Sequence, residues 1–157
     1  MEITKQEVIR FVEENDVKFI RLAFCDLYGR LKNISIQPGE LNRALEGGIP
    51  FDASAVRGFS DAQGDLYLSP DPATLSVLPW RPQSGRVIRL FCDLTYPDGR
   101  PYEGYGRRIL RRAVQKASDM GYTMHVAAKC EFYLFEADEK GRITKMPQDS
   151  AGYLDVA

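Results

Sequence analysis

The side chains of this sequence that are suited to chemistry include three cysteines, one histidine and several carboxylates. Cys25, Cys92 and Cys130 form no CxxC pair, and an odd number of cysteines cannot all pair with one another. We therefore expect reduced, mostly buried thiols in a cytoplasmic protein, rather than a disulfide framework or a zinc site. The single histidine, His125, cannot build a site that needs several histidine ligands.

Carboxylates can act in catalysis or bind cations, but three of those in this sequence each have an ordinary structural interpretation. Asp52 lies in a loop and could simply cap a turn, and Asp65 opens a short strand pattern. Glu131 follows Lys129 at the two-residue spacing that puts both side chains on one face of a β-strand, roughly 7 Å apart along the chain. Their opposite charges could attract each other, and the plain interpretation of Glu131 is a solvent-facing strand residue.

Helix and strand patterns alternate along the chain and must position these residues. Thr4 and Glu7 have the spacing of a capping box, which predicts a helix start, and Pro97-Asp98-Gly99 predicts a turn. The predicted helices are 4–14, 41–45 and 107–120, and the predicted strands are 17–24, 31–36, 65–68, 76–79, 86–94 and 124–135. This order predicts an α+β fold with a domain boundary at about 98–105.

Composition and charge exclude several classes of function. The chain has 157 residues, 44% of them apolar and 27% charged, with a formal net charge of −1. A near-neutral chain is a poor candidate for binding nucleic acid or an anionic membrane, and we expect neither partner. No apolar stretch approaches the ~20 residues of a membrane span, and the charged start predicts no signal peptide, so we expect a cytoplasmic protein.

Four stretches, in this order, resemble glutamine synthetases of the bacterial type. The first is RLAFCDLYG with LKN (21–33), which resembles the opening hairpin of that family. The second is FDASAVRGF (51–59), similar to the family's FDGSSI–GF loop. The third is DLYLSPD (65–71) followed by Pro79-Trp80, and the fourth is CEFYLF (130–135) followed by GYLD (152–155). The resemblance runs through nearly the whole chain.

This resemblance implies a β-grasp-like N-terminal domain over residues 1–100 and the start of an α+β catalytic domain over residues 101–157. It also implies an ATP-dependent glutamate–ammonia ligase that makes glutamine through γ-glutamyl phosphate. The expected cofactors are Mg²⁺ (or Mn²⁺) and ATP, because phosphoryl transfer needs cations that neutralise the phosphates. The expected substrates are glutamate, ammonia and ATP. The expected assembly is a ring-shaped homo-oligomer, in which a β-grasp loop completes the active site of a neighbouring subunit.

The resemblance carries roles to individual residues. Asp52 matches an aspartate that helps bind ammonium, Asp65 lines the same region, and Ser54 is retained from the same motif, which makes these three the candidate catalytic residues. Glu131 matches a metal ligand. Lys129 departs from the pattern, because it stands where the family's ExE pair has its first acid. An ammonium group cannot ligate Mg²⁺ and repels it, which puts metal binding and ordinary activity in doubt.

Two alternative functions remain open at this point. Ala53 and Ala55 replace the family's usual Gly and Ser, which permits a related ligase that joins glutamate to another amine. Lys129 permits a non-catalytic homologue that acts as a binding or regulatory module. Phe59 could pack at a subunit contact or in the core. The chain stops inside a stretch that resembles a continuing motif, so we expect a truncated catalytic domain and no activity from residues 1–157 alone.

Overall fold

The computed structural model describes residues 3–59, 62, 64–80 and 85–155, and the chain divides into compact units of residues 1–123 and 124–157. The helices are α1 (Lys5–Glu14), α2 (Leu41–Gly47) and α3 (Gly106–Asp119). The strands are β1 (Val17–Cys25), β2 (Leu31–Ile36), β3 (Ile49–Asp52), β4 (Asp65–Pro70), β5 (Ser76–Val77), β6 (Arg86–Thr95), β7 (Phe135–Ala137) and β8 (Ile143–Pro147). The predicted α+β class is confirmed.

The first helix begins at the predicted capping box. The Thr4 hydroxyl accepts a hydrogen bond from the Glu7 amide, and the Glu7 carboxylate accepts one from the Thr4 amide at 2.7 Å. These bonds satisfy amides that the first helical turn leaves without an intrahelical partner. The Thr4 amide is the main reason why the pKa of Glu7 lies below its usual value.

A six-stranded mixed sheet organises the unit of residues 1–123. The predicted hairpin is confirmed, since β1 pairs antiparallel with β2. β6 then lies parallel to β1 and antiparallel to β4, which gives the order β2-β1-β6-β4-β3, with β5 paired to β6. Strand β6 therefore joins the hairpin to the β3–β4 pair, which carries Asp52 and Asp65 at one end.

The core lies where the apolar positions of these strands meet α1 and α2. Along β6, Ile88, Leu90, Cys92 and Leu94 are buried at every second position, as strand alternation requires. Val8 of α1 belongs to the same hydrophobic cluster. Every helix in the described ranges falls short of the length and apolar character that a membrane span requires.

The cysteines are only partly as expected. Cys92 is buried in the core, and burial raises the pKa of its thiol to about 12, so the group stays protonated at neutral pH. Cys25 is half-buried and Cys130 is exposed, so the expectation of mostly buried thiols is wrong for Cys130. All three thiols are free in the structure.

The predicted strand 124–135 is wrong over most of its length. No strand is assigned at 124–134, and β7 begins only at Phe135. Both predicted faces of this segment are exposed. Alternation specifies two faces, whereas a strand also needs a hydrogen-bonded neighbour, and within the described residues β7 pairs only with β8. A turn forms at residues 138–142, with the Asp138 carboxylate accepting hydrogen bonds from the Lys140 and Arg142 amides.

Candidate active site

Asp52 and Asp65 are brought together at one end of the sheet. They form the last residue pair of the antiparallel β3–β4 ladder. Residues directly opposite each other in such a ladder share a face, with β-carbons about 5 Å apart. Both residues are exposed, so the sheet presents two neighbouring carboxylates to solvent. Such a pair can attract a small cation and accept its hydrogen bonds.

Ser54 fixes the Asp52 carboxylate. Its amide and its hydroxyl both donate to Oδ1 of Asp52, at 2.9 and 2.6 Å. These bonds cap a short 3₁₀ helix (Ala53–Ala55), so the ordinary interpretation of Asp52 as a turn-capping residue is also correct. The Ser54 hydroxyl, followed by its amide, lowers the pKa of the Asp52 carboxyl below its usual value. The carboxyl is therefore ionised at neutral pH.

Replacing Ser54 by alanine is expected to raise the pKa of Asp52, because the hydroxyl is the largest cause of the lowered value. Because the pKa of Asp52 is lowered in the folded state, its ionised carboxylate stabilises the loop at pH values above the ordinary carboxyl pKa. This stabilisation is lost as the pH falls through the pKa of the folded state. NMR titration of the Asp52 side-chain carboxyl measures the change. Asp138, whose pKa is lowered mainly by the Arg142 amide, is an internal reference that should not move. An unchanged Asp52 titration would contradict this assignment.

The loop that follows Asp52 is anchored in the core. Ala53 and Phe59 are fully buried, and Val56 is nearly so. The Phe59 ring stacks 6.2 Å from Phe24 and meets Tyr102 edge-on at 5.3 Å. Of the two interpretations of Phe59, the core position is the one that this chain adopts.

Glu131 lies in the other compact unit, and its carboxylate is paired with a cation from its own chain. The Lys129 ammonium lies 2.5 Å from Oε1 of Glu131, and both side chains are more than three-quarters exposed, at 81% and 76%. The attraction expected between these two residues is confirmed. Within the described part of the chain, no group of three or more His, Cys, Asp or Glu residues is placed to hold a metal ion. The residues around Glu131 therefore do not fit a metal site by themselves.

The structure contains an ion cluster at the start of α3 that we did not predict. Arg107 and Arg111 both contact Asp71, which follows β4, and Asp93 on β6. Tyr105 donates from its hydroxyl to Asp93 at 2.8 Å. Tyr105 precedes α3 without capping it, because its side chain is buried in the core and makes no capping hydrogen bond. The four-residue spacing of the two arginines puts them on one helix face and was the available signal.

Comparison with known proteins places both parts of the chain. The family model for the β-grasp domain of glutamine synthetase matches residues 16–97, and the model for the catalytic domain of glutamine synthetase matches residues 103–157. A glutamine synthetase of Clostridium saccharobutylicum is 48% identical over 155 residues, 98% of this chain and 35% of the relative. One of Methanosarcina mazei is 41% identical over the same shares. The chain thus spans about 35% of the length of these curated relatives.

Structural similarity agrees with the fold expected from the sequence. The cryo-EM structure of Plasmodium falciparum glutamine synthetase matches with a TM-score of 0.68 at 22% identity, over 77% of this chain and 24% of that chain. At this identity the likeness concerns the fold alone, and it agrees with the β-grasp-like N-terminal part. Together with the two family models, it confirms the resemblance seen in the four sequence stretches. The chain belongs to the glutamine synthetase family and corresponds to the N-terminal part of its members.

Proposed function

We propose that this chain is the N-terminal part of an ATP-dependent glutamate–ammonia ligase that makes glutamine through a γ-glutamyl phosphate intermediate. The observation that carries the proposal is the exposed Asp52–Asp65 pair, in which Ser54 fixes the Asp52 carboxylate, in a chain of this family. In the proposed reaction, glutamate takes a phosphoryl group from ATP on its γ-carboxylate. Ammonium then loses a proton to water, and its nitrogen attacks the γ-carbon. Phosphate leaves with the bonding electron pair, and the nitrogen loses a second proton to give the neutral amide.

We assign ammonium binding to Asp52. Its lowered pKa makes it a better partner for a cation and a poorer proton acceptor, which favours a binding role over that of a general base. Asp65 adds a second carboxylate on the same face of the sheet, and Ser54 orients the first one. Because all three are exposed, we further propose that this loop completes the site of a neighbouring subunit in a ring-shaped homo-oligomer.

We propose a β-grasp-like domain over residues 1–100 and the start of the catalytic domain over residues 101–157, in line with the two matched ranges. We propose ATP and Mg²⁺ (or Mn²⁺) as cofactors, with Glu131 as one ligand of a metal site that needs further ligands, because the described residues around Glu131 do not form such a site by themselves. The three free thiols support a reducing cytoplasmic location.

Steady-state kinetics of the full-length protein test this function. We expect glutamate-dependent phosphate release from ATP with ammonia as the acceptor. The substitution Asp52→Asn should raise the KM for ammonium about 10- to 100-fold, because the neutral amide can still accept a hydrogen bond but lacks the charge that strengthens a bond from ammonium. Asp98→Asn is the matched control, since Asp98 is another exposed turn aspartate with a lowered pKa. A full-length protein that releases no phosphate in the presence of glutamate and ammonia would refute the proposal.

The Lys129–Glu131 ion pair favours a second candidate function, a non-catalytic homologue that acts as a binding or regulatory module. Calorimetric titration of the full-length protein with Mg²⁺ or Mn²⁺ separates the two functions. Stoichiometric metal binding together with ATP-dependent phosphate release would eliminate the non-catalytic candidate. The related ligase that uses another amine is tested by measuring phosphate release with a panel of amines in place of ammonia. A clear preference for ammonia would eliminate this alternative.

A further inference from the structure

The tip of the β1–β2 hairpin (residues 26–30, the hairpin tip) has a fixed shape. The Asp26 carboxylate is buried and accepts bonds from the Tyr28 and Arg30 amides, each at 2.9 Å. The Arg30 amide is the main cause that lowers the pKa of Asp26, against the opposing effect of burial. Gly29 has a φ of +75°, a conformation that favours glycine. The hairpin tip can therefore serve as a rigid support for a neighbouring segment.

The segment that the hairpin tip contacts is residues 52–59, here the Asp52 loop. Leu27 packs on Gly58 so closely that a β-carbon added to this glycine would lie 3.0 Å from Cβ of Leu27. The Arg57 guanidinium lies over the Tyr28 ring, 4.9 Å from its centroid, which is cation–π geometry. Tyr28 is 62% exposed, so its ring serves this contact more than it serves the core.

Strand β1 also contacts both ends of the Asp52 loop, through a single residue. The Phe24 ring lies 5.1 Å from Phe51, just before the loop, and 6.2 Å from Phe59, its last residue. Inside the loop the backbone bonds are short in range, from the Val56 amide to Ala53 and from the Phe59 amide to Val56. Such local turns do not orient the loop on the sheet, so its orientation depends on contacts like those from β1 and the hairpin tip.

We propose that the hairpin tip holds the Asp52 loop in the conformation that presents Asp52 and Ser54, with Tyr28 and Arg57 as positioning residues. The identity of the ligand, ammonium, rests on the proposed function, whereas the support of the loop rests on contacts within this chain. Tyr28 and Arg57 act through the loop rather than by touching the substrate. Their loss should weaken ammonium binding and leave the binding of glutamate unchanged.

Hydrogen exchange of the full-length protein tests the support of the loop without any activity assay. Tyr28→Leu and Arg57→Gln should each speed exchange of the Ser54, Val56 and Phe59 amides about two- to five-fold, the ratio expected for one exposed cation–π contact. Tyr28→Phe keeps the ring and should exchange like the parent protein. Arg100→Gln is the second control, because it removes a similar contact, 5.1 Å over Tyr96, at the turn that follows β6. Unchanged exchange in Tyr28→Leu would overturn the proposal.

Kinetics of the same variants test the link to ammonium. We expect the KM for ammonium to rise about two- to five-fold in Tyr28→Leu and Arg57→Gln, with the KM for glutamate unchanged. Tyr28→Phe, which keeps the ring, should have the KM values of the parent protein. Faster exchange with an unchanged KM for ammonium would overturn the positioning role. A parent protein that makes no glutamine from ammonia refutes the proposed function instead, and the exchange comparison still decides whether the hairpin tip supports the loop.

Discussion

Replacing Lys129 by glutamate in the full-length protein is expected to tighten Mn²⁺ binding about a thousandfold. The substitution turns one positive charge into a negative one beside Glu131, whose carboxylate now lies 2.5 Å from the Lys129 ammonium. For charges about 4 Å apart in water, the interaction with a divalent cation changes by about 4 kcal/mol, which corresponds to this ratio. Isothermal titration calorimetry with Mn²⁺ measures the affinity of both proteins. The expectation rests on the proposed role of Glu131.

The control for this experiment keeps the change of net charge and moves its position. Lys145→Glu alters an exposed lysine on β8 by the same two units of charge, and it should change the Mn²⁺ affinity only slightly. If Lys129→Glu and Lys145→Glu bind Mn²⁺ equally well, the effect is one of overall charge, and Glu131 is not a metal ligand. Activity gained together with metal affinity would identify Lys129 as the residue that limits catalysis.

Replacing Phe59 by alanine is expected to lower the free energy of unfolding by about 3–5 kcal/mol, the usual loss for a buried aromatic ring. Phe59 is fully buried, and its ring contacts Phe24 and Tyr102, so its removal leaves a cavity between the Asp52 loop and the sheet. Urea unfolding followed by circular dichroism measures the loss. Because Phe59 ends the loop, the same substitution should also weaken the anchoring of Asp52.

Phe19→Ala is the matched control for this prediction. Phe19 lies on β1 and is 49% exposed, so the same change of side chain there should cost about 1 kcal/mol or less. Equal losses for the two phenylalanines would mean that the Phe59 ring is not a core element. In that case the other interpretation of Phe59, packing at a subunit contact, would be favoured.

Local signals explain which parts of the fold could be predicted from the sequence. The start of α1 depends on Thr4 and Glu7, three residues apart, and the β1–β2 hairpin depends on alternation around one short turn. Residues 124–135 alternate just as clearly, but no described strand pairs with positions 124–134. Alternation describes which face a side chain takes, whereas a strand forms only when a partner supplies its hydrogen bonds.

The residues of the candidate site could be identified from local motifs, whereas their arrangement in space could not. Asp52, Ser54 and Asp65 were identifiable because their motifs are contiguous. That Asp52 and Asp65 stand directly opposite each other depends on the register of β3 and β4, which is set by the packing of the whole sheet. The contact between Tyr28 and Arg57 joins residues from separate elements, and no spacing rule reports it.

The ion cluster at the start of α3 limits how this family member can be recombined with others. A chimera that crosses over near residue 100 would take Arg107 and Arg111 from one parent and Asp71 and Asp93 from the other. A parent without matching charges would leave half-buried ions without partners, which is costly. A crossover after Asp119 inherits the arginines and the aspartates together, so exchangeable modules in this protein end after α3 rather than at the boundary between the two matched domains.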